Sequence, residues 1–510
     1  KFQIFDTRAT GIKLEYGNDI LLPDLLAGTP YDDTISGGGG DDVISGGLGK
    51  DSLDGGDGND TLSYAGSSAG VTVNLANNTA SGGDAQVTIS GAPAYDTIKN
   101  FENVIGSDFN DLLLGDAGSN FLRGGLGNDT LSGINIQNLT TASSSVDTID
   151  GAGGDDYIIA GTGTTVISGG DGFDWVSYTE VQPTKVDPQL PPPPGAYANL
   201  DAHYGSFNGN QDYLYEIEGI KGTNFNDTLI GDAGDNFLRG GKGDDILNGS
   251  DGSDWADYKD ATGAVFVDLS QGQATGADGN DTLMNIENIR GGAFGDVLTG
   301  DDGKNWLRGG LGNDTLDGGD GLDWADYYDA SGAVTVDLSK GTATGADGND
   351  VLLNIEKIRG GSGNDTLTGN AIDNMFIGGG GNDSIDGGAG IDIARYSGSR
   401  SDYTVTKTTT GYTIKDNRTG TPDGTDTLSN IEKLQFAHDD SYIEIALAPA
   451  TGVLPVAASP VKTPSDAGEF YYRAQAASWS SNQIWAVMHA DSNAYKAGSQ
   501  NEINLTLVAQ

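Results

Sequence analysis

The chain has no cysteine, three histidines, three methionines, and only 26 basic side chains to set against 74 acidic ones. Without cysteine there are no disulfides, no thiol nucleophile and no Cys-ligated zinc or iron–sulfur centre. This leaves secretion open, because some exported bacterial proteins avoid thiols. The histidines His203, His438 and His489 lie far apart with no H-E-x-x-H among them, which argues against catalytic zinc. A net charge of −48 over 510 residues excludes nucleic acid and anionic lipid as partners. It also repels itself unless something neutralises it, and a divalent cation is the obvious candidate. No stretch approaches the roughly 20 apolar residues of a membrane span, so no transmembrane segment is expected. The first residues, KFQIFDTRATGIKLEYGNDILL, are broken by charges and do not read as a signal peptide. They lack an initiator Met, so a processed product or a part of a longer chain is expected.

Glycine, in contrast, is abundant at 82 residues, without the G-X-Y period of collagen. Residues 37–63 read GGGGDDVIS, GGLGKDSLD, GGDGNDTLS: three tandem copies of G-G-x-G-x-D-x-U-x, with U apolar. The register extends through degenerate copies into six blocks, 28–63, 106–132, 142–177, 222–257, 291–326 and 360–395, holding 23 nonapeptides. The sixth position is Asp in 18 copies, Asn in four (Asn120, Asn236, Asn305, Asn374) and Thr165 in one. The eighth is Leu, Ile, Val or Phe in 20 and Ala in three.

A longer repeat joins the blocks. Tyr64, Tyr178, Tyr258, Tyr327 and Tyr396 each follow a final nonapeptide, and an excursion comes next. In it, VFVDL (265–269) and VTVDL (334–338) alternate as half-buried strands do, and Glu102, Glu218, Glu287, Glu356 and Glu432 mark a second strand. Pro191 to Pro194 form a stiff extended insertion. Residues 1–27 are expected to cap the N-terminal end and 396–445 the C-terminal end, with 446–466 a linker and 467–510 a tail for secretion or assembly.

Glycines let a G-G-x-G-x-D hexapeptide turn tightly, and x-U-x is a minimal strand with its middle side chain inward. Two nonapeptides complete one turn of a flattened coil, and turns stack about 4.8 Å apart. The fold class expected is therefore all-β, a right-handed parallel β-roll with interspersed excursions and terminal caps. Loops of copies two apart lie over one another, so their carbonyls and Asp carboxylates converge in an oxygen-only environment suited to Ca²⁺. One apolar side chain per nine residues offsets little of the entropy of ordering glycine. Metal binding must supply much of the folding free energy, and the apo chain is expected to be largely disordered.

The tandem GGxGxDxUx copies resemble the RTX (repeats-in-toxin) family across roughly residues 28–440. The resemblance implies a β-roll with calcium between stacked loops and the sixth-position Asp as side-chain ligand. The matching positions with best support are Asp42, Asp51, Asp60, Asp129, Asp156, Asp174, Asp245, Asp254, Asp314, Asp323, Asp365, Asp383 and Asp392. Asp33, Asp111, Asp227 and Asp296 complete the candidate metal ligands. Asn120, Asn236, Asn305 and Asn374 depart from the motif and imply weaker, neutral ligands, and Thr165 a metal-free loop. The family also implies export from a Gram-negative bacterium by a one-step type I channel, and folding outside in calcium.

No catalytic constellation is found. Gly66-Ser67-Ser68-Ala69-Gly70 fits the hydrolase elbow G-x-S-x-G, but Ser68 occupies the excursion slot also held by Thr262 and Ser331. Trp175, Trp255 and Trp324 either seal block ends against Tyr178, Tyr258 and Tyr327 or stack sugars of a surface glycan. Arg123, Arg239 and Arg308 are expected to pair with the recurrent Glu. The reading favoured is a secreted, non-enzymatic, calcium-binding structural protein of the cell surface (surface-layer, filament or adhesin subunit) that forms homo-oligomers or polymers. The alternatives are the repeat and export half of a larger secreted enzyme or toxin, and a carbohydrate-binding module.

Overall fold

In the x-U-x triplets, alternation turns the eighth-position side chain inward, and all 23 of these residues are at most 1% exposed. They form the core of a parallel β-roll. The computed structural model describes residues 13–15, 24–89, 92–134, 145–161, 163–179, 195–420, 422–436 and 445–446. The proline run, the tail 467–510 and nearly all of the linker lie outside these residues. The described chain is all-β, with three single turns of 3-10 helix and no α-helix.

Consecutive triplets alternate between two sheets, here sheet A and sheet B, and each pairs in parallel with the triplet two copies on. In sheet A, Ile35 lies opposite Leu53. In sheet B, Leu298 lies opposite Leu316. The second and third blocks form one stack of seven copies, since Leu122 pairs with Ile149 and Leu131 with Ile158. The segment between them is an insertion inside a single loop. Gly133 opens that loop and Asp147 closes it, a Cβ on Gly133 lying 2.4 Å from the Asp147 carboxylate.

Each excursion inserts a three-stranded antiparallel meander into one sheet and a single parallel strand into the other. After the fifth block, Val334–Asp337, Thr342–Gly345 and Asn349–Leu353 form the meander in sheet B, its outer strands pairing with Thr315–Asp317 and Thr366–Thr368. Meanwhile Lys357–Arg359 continues sheet A between Trp324–Asp326 and Met375–Ile377. The first meander lies in sheet A and the later four in sheet B. Parity explains this: a stack of four copies returns the chain to the sheet it began in, and a stack of seven does not.

The outward seventh and ninth positions of sheet A carry aromatic and charged residues that differ in role from expectation. Trp175, Phe237 and Trp255 pack in a column, as do Trp306 and Trp324, whose rings stack at 4.4 Å. Arg239 covers Trp175, Arg308 covers Trp255, and Lys357 covers Trp324. These rings pack against neighbouring rungs, not against the block-ending tyrosines. The arginines pair with Asp, not with the recurrent Glu: Arg123 with Asp150, Arg239 with Asp257 and Asp260, Arg308 with Asp326 and Asp329. Ninth-position residues of copies two apart are neighbours on one face, so Asp257 lies beside Arg239, whereas Glu is drawn into the loops.

Candidate metal centre

A loop needs backbone that bends where L side chains cannot, and the copy from Gly309 shows how it is met. Gly310 and Gly312 adopt φ of 88° and 145°, in the left-handed region. Gly309 is needed for space: a Cβ there would lie 2.2 Å from the Oδ2 of Asp314.

Loops stack through a ladder of carboxylates. Except in the last two copies of a stack, the N–H of the sixth residue donates to the sixth-position carboxylate two copies on, where there is one: Asp33 to Asp51, Asp42 to Asp60, Asp296 to Asp314 and Asn305 to Asp323, at 2.7–2.9 Å. This uses one oxygen, Oδ1. In thirteen copies the other, Oδ2, is buried and has no hydrogen-bond partner: Asp42, Asp51, Asp60, Asp129, Asp147, Asp156, Asp174, Asp245, Asp254, Asp314, Asp323, Asp383 and Asp392. A buried, unpartnered carboxylate oxygen is costly and demands a positive partner.

Apart from Thr165, the remaining sixth positions are satisfied within the chain, and all of them open a stack. The Oδ2 atoms of Asp33, Asp111, Asp227, Asp296 and Asp365 accept the N–H of Thr29, Ser107, Thr223, Gly292 and Gly361 at 2.5–2.8 Å. The four Asn residues do the same with the N–H of Asp116, Asp232, Asp301 and Asn370. Asn120, Asn305 and Asn374 also donate from Nδ2 to the carbonyls of Glu102, Glu287 and Glu356, at 2.7–3.0 Å. An amide both accepts and donates, so these residues also satisfy a carbonyl at the start of a stack, which an ionised carboxylate cannot do. Thr165 Oγ1 is buried and unpartnered in its loop.

The excursions continue the ladder with residues outside the six nonapeptide blocks. Asp51, Asp245, Asp314 and Asp383 donate their N–H to Asp96, Asp281, Asp350 and Asp426. Thr165 donates likewise to Asp212. Each of these five Asp precedes the recurrent Glu by six residues. The signal was present, since 276–284 (GADGNDTLM) and 345–353 (GADGNDVLL) are themselves nonapeptides. In three of them the second oxygen is taken by the preceding tyrosine: Tyr64, Tyr258 and Tyr327 donate to Asp96, Asp281 and Asp350 at 2.9–3.0 Å.

Burial, only partly offset by N–H donation from the ladder, raises the pKa of the unpartnered carboxyls. Asp51, Asp129 and Asp245 are pushed up to about 8. Asp147, Asp156, Asp254, Asp314, Asp323, Asp383 and Asp392 are pushed to about 7. Among the described residues no three Asp, Glu or His side chains converge on one point. A cation in these loops would therefore be held by one or two carboxylates together with backbone carbonyls. The Gly37 cradle has that composition: a Cβ on it would lie 2.2 Å from the Oδ2 of Asp42 and 2.5 Å from the carbonyl oxygen of Gly55. Hard, oxygen-only donors of mixed charge fit Ca²⁺.

Fold and site together define a calcium-binding parallel β-roll. The family model for the RTX calcium-binding nonapeptide repeat matches at residues 27–62, 102–133, 141–176, 221–256, 290–325 and 359–394, so six stretches of the chain carry that repeat. No match was found among curated proteins. No helix among the described residues is long and apolar enough to cross a membrane.

Proposed function

We propose that this protein is a secreted, non-enzymatic structural component of a bacterial cell surface that folds, and then self-associates, when calcium fills its loops. The observation that carries this reading is the set of thirteen buried carboxylate oxygens that lack a partner in the folded chain. A roll built this way is stable only where calcium is plentiful, which suits an extracellular protein, and RTX-repeat proteins are typically exported by type I systems. Repeats and excursions occupy the described chain from 24 to 436. Ca²⁺ is the cofactor, and a second copy of the chain is the favoured partner. Light scattering with circular dichroism during a calcium titration tests the reading. Particle mass that rises with the β-signal supports assembly, and a folded chain that stays monomeric at all calcium concentrations refutes it.

A further inference from the structure

Five of the thirteen unpartnered oxygens belong to the last Asp of a stack: Asp60, Asp174, Asp254, Asp323 and Asp392, each 0% exposed. No nonapeptide loop stacks above them. The chain instead makes a six-residue turn, three residues shorter than the repeat, as in NIENIR (285–290) and NIEKIR (354–359). Its first residue adopts left-handed backbone without being glycine: Asn100, Glu216, Asn285, Asn354 and Asn430, with φ of 49–55°. That residue directs its carbonyl into the glycine cradle below. A Cβ on Gly55, Gly169, Gly249, Gly318 or Gly387 would lie 1.9–2.2 Å from the carbonyl oxygen of Asn100, Glu216, Asn285, Asn354 or Asn430. The third residue is the recurrent Glu, whose Oε2 accepts the N–H of the last Asp at 2.8–3.0 Å. The longer side chain reaches where a shortened loop no longer brings an Asp.

We propose that each six-residue turn completes a terminal Ca²⁺ site, with the last Asp of the stack, the left-handed residue's carbonyl and the recurrent Glu as donors. The proposal rests on the calcium reading of the repeats and extends it to turns that do not match the nonapeptide. The last Asp of the stack is wholly buried with a free oxygen, and the recurrent Glu brings a second carboxylate to the adjacent rung, an arrangement that a cation would neutralise. The other edge of three of the excursions is built differently, because Asp96, Asp281 and Asp350 already spend both oxygens on an N–H and a tyrosine hydroxyl. The recurrent Glu thus has a role distinct from the excursion Asp six residues before it.

Trp175, Trp255 and Trp324 directly follow Asp174, Asp254 and Asp323, so Tb³⁺ in a terminal site is excited through the adjacent indole. The experiment is a Tb³⁺ titration of the full chain, reading indole-sensitised emission alongside circular dichroism. The unsubstituted chain should fold and emit, and Trp175→Phe/Trp255→Phe/Trp324→Phe should fold and lose most of the emission. In Glu218→Gln/Glu287→Gln/Glu356→Gln the amide oxygen still accepts the Asp N–H, and only the charge is lost. Its emission should need about tenfold more Tb³⁺, as expected for one carboxylate fewer in a calcium shell, while the folding midpoint moves less. An unchanged emission midpoint in the Gln variant overturns the proposal. So does an unsubstituted chain that folds with Tb³⁺ but shows no sensitised emission, a result that stands even if the Gln variant fails to fold. If neither Ca²⁺ nor Tb³⁺ changes the dichroism of the unsubstituted chain, the underlying calcium reading fails instead.

Discussion

Removing calcium at two pH values should have opposite consequences for the roll. Asp314 illustrates the magnitude. Its carboxyl is pushed from the usual 3.8 to about 7 by burial, so holding it ionised in the folded chain costs about 4 kcal/mol above pH 7, at about 1.4 kcal/mol per pKa unit. Two or three such groups equal the whole stability of an ordinary domain, about 5–15 kcal/mol, and seven carboxyls share a value of about 7. The folded state holds more protons than the unfolded one between pH 3.8 and 7, so stability without metal falls as pH rises through that window. Going from pH 7.5 to pH 5 recovers about 3 kcal/mol per group, while the pH stays above the pI of about 4.1. In excess chelator, far-UV circular dichroism should show an unfolded chain at pH 7.5 and a gain of β-signal near pH 5. With calcium present the order reverses, because protons compete for the same oxygens and the calcium midpoint rises as pH falls. A chain fully folded in chelator at pH 7.5, or one in which acid brings no structure, would refute the reasoning.

Gly309→Ala should raise the calcium concentration needed for folding several-fold, since its Cβ would intrude on the Asp314 oxygen; calorimetric titration reads the shift. Asn305→Asp should lower the melting temperature at saturating calcium. It replaces a donor to the Glu287 carbonyl with a second negative charge, a loss of about 1–3 kcal/mol. Tyr327→Phe leaves the Asp350 oxygen buried without a donor and should cost a similar amount, with the number of bound calcium ions unchanged. Leu316→Ala should cost about 2–5 kcal/mol by opening a cavity in a column where every rung is filled.

Much of this was legible in the sequence because the nonapeptide is read locally. Ile35, Leu316 and Ile385 were marked by the eighth position alone, and the glycines and sixth-position Asp defined loops of known spacing. The features hidden from the sequence depend on contacts made outside the nonapeptide copy that carries them, or across an insertion. Asp147 escaped notice because its copy, ASSSVDTID, has no glycine; its true loop opens at Gly133, before the insertion. Asn305 looks like a weakened ligand until its amide is seen bridging the Asp301 N–H and the Glu287 carbonyl. Asp281 and Asp350 were hidden inside excursions that continue the ladder. Arg308 met Asp326 and not Glu356 because pairing on a sheet face follows rung position, not proximity to an anion in sequence.

A cation should sit wherever the fold leaves a sixth-position oxygen without a partner. Counting bound calcium on the folded full chain, by native mass spectrometry with metal analysis after dialysis, tests this most directly. The expected count is about thirteen ions, one per unpartnered carboxylate. A count near eighteen, one for every sixth-position Asp, or a folded chain with almost none, would contradict it.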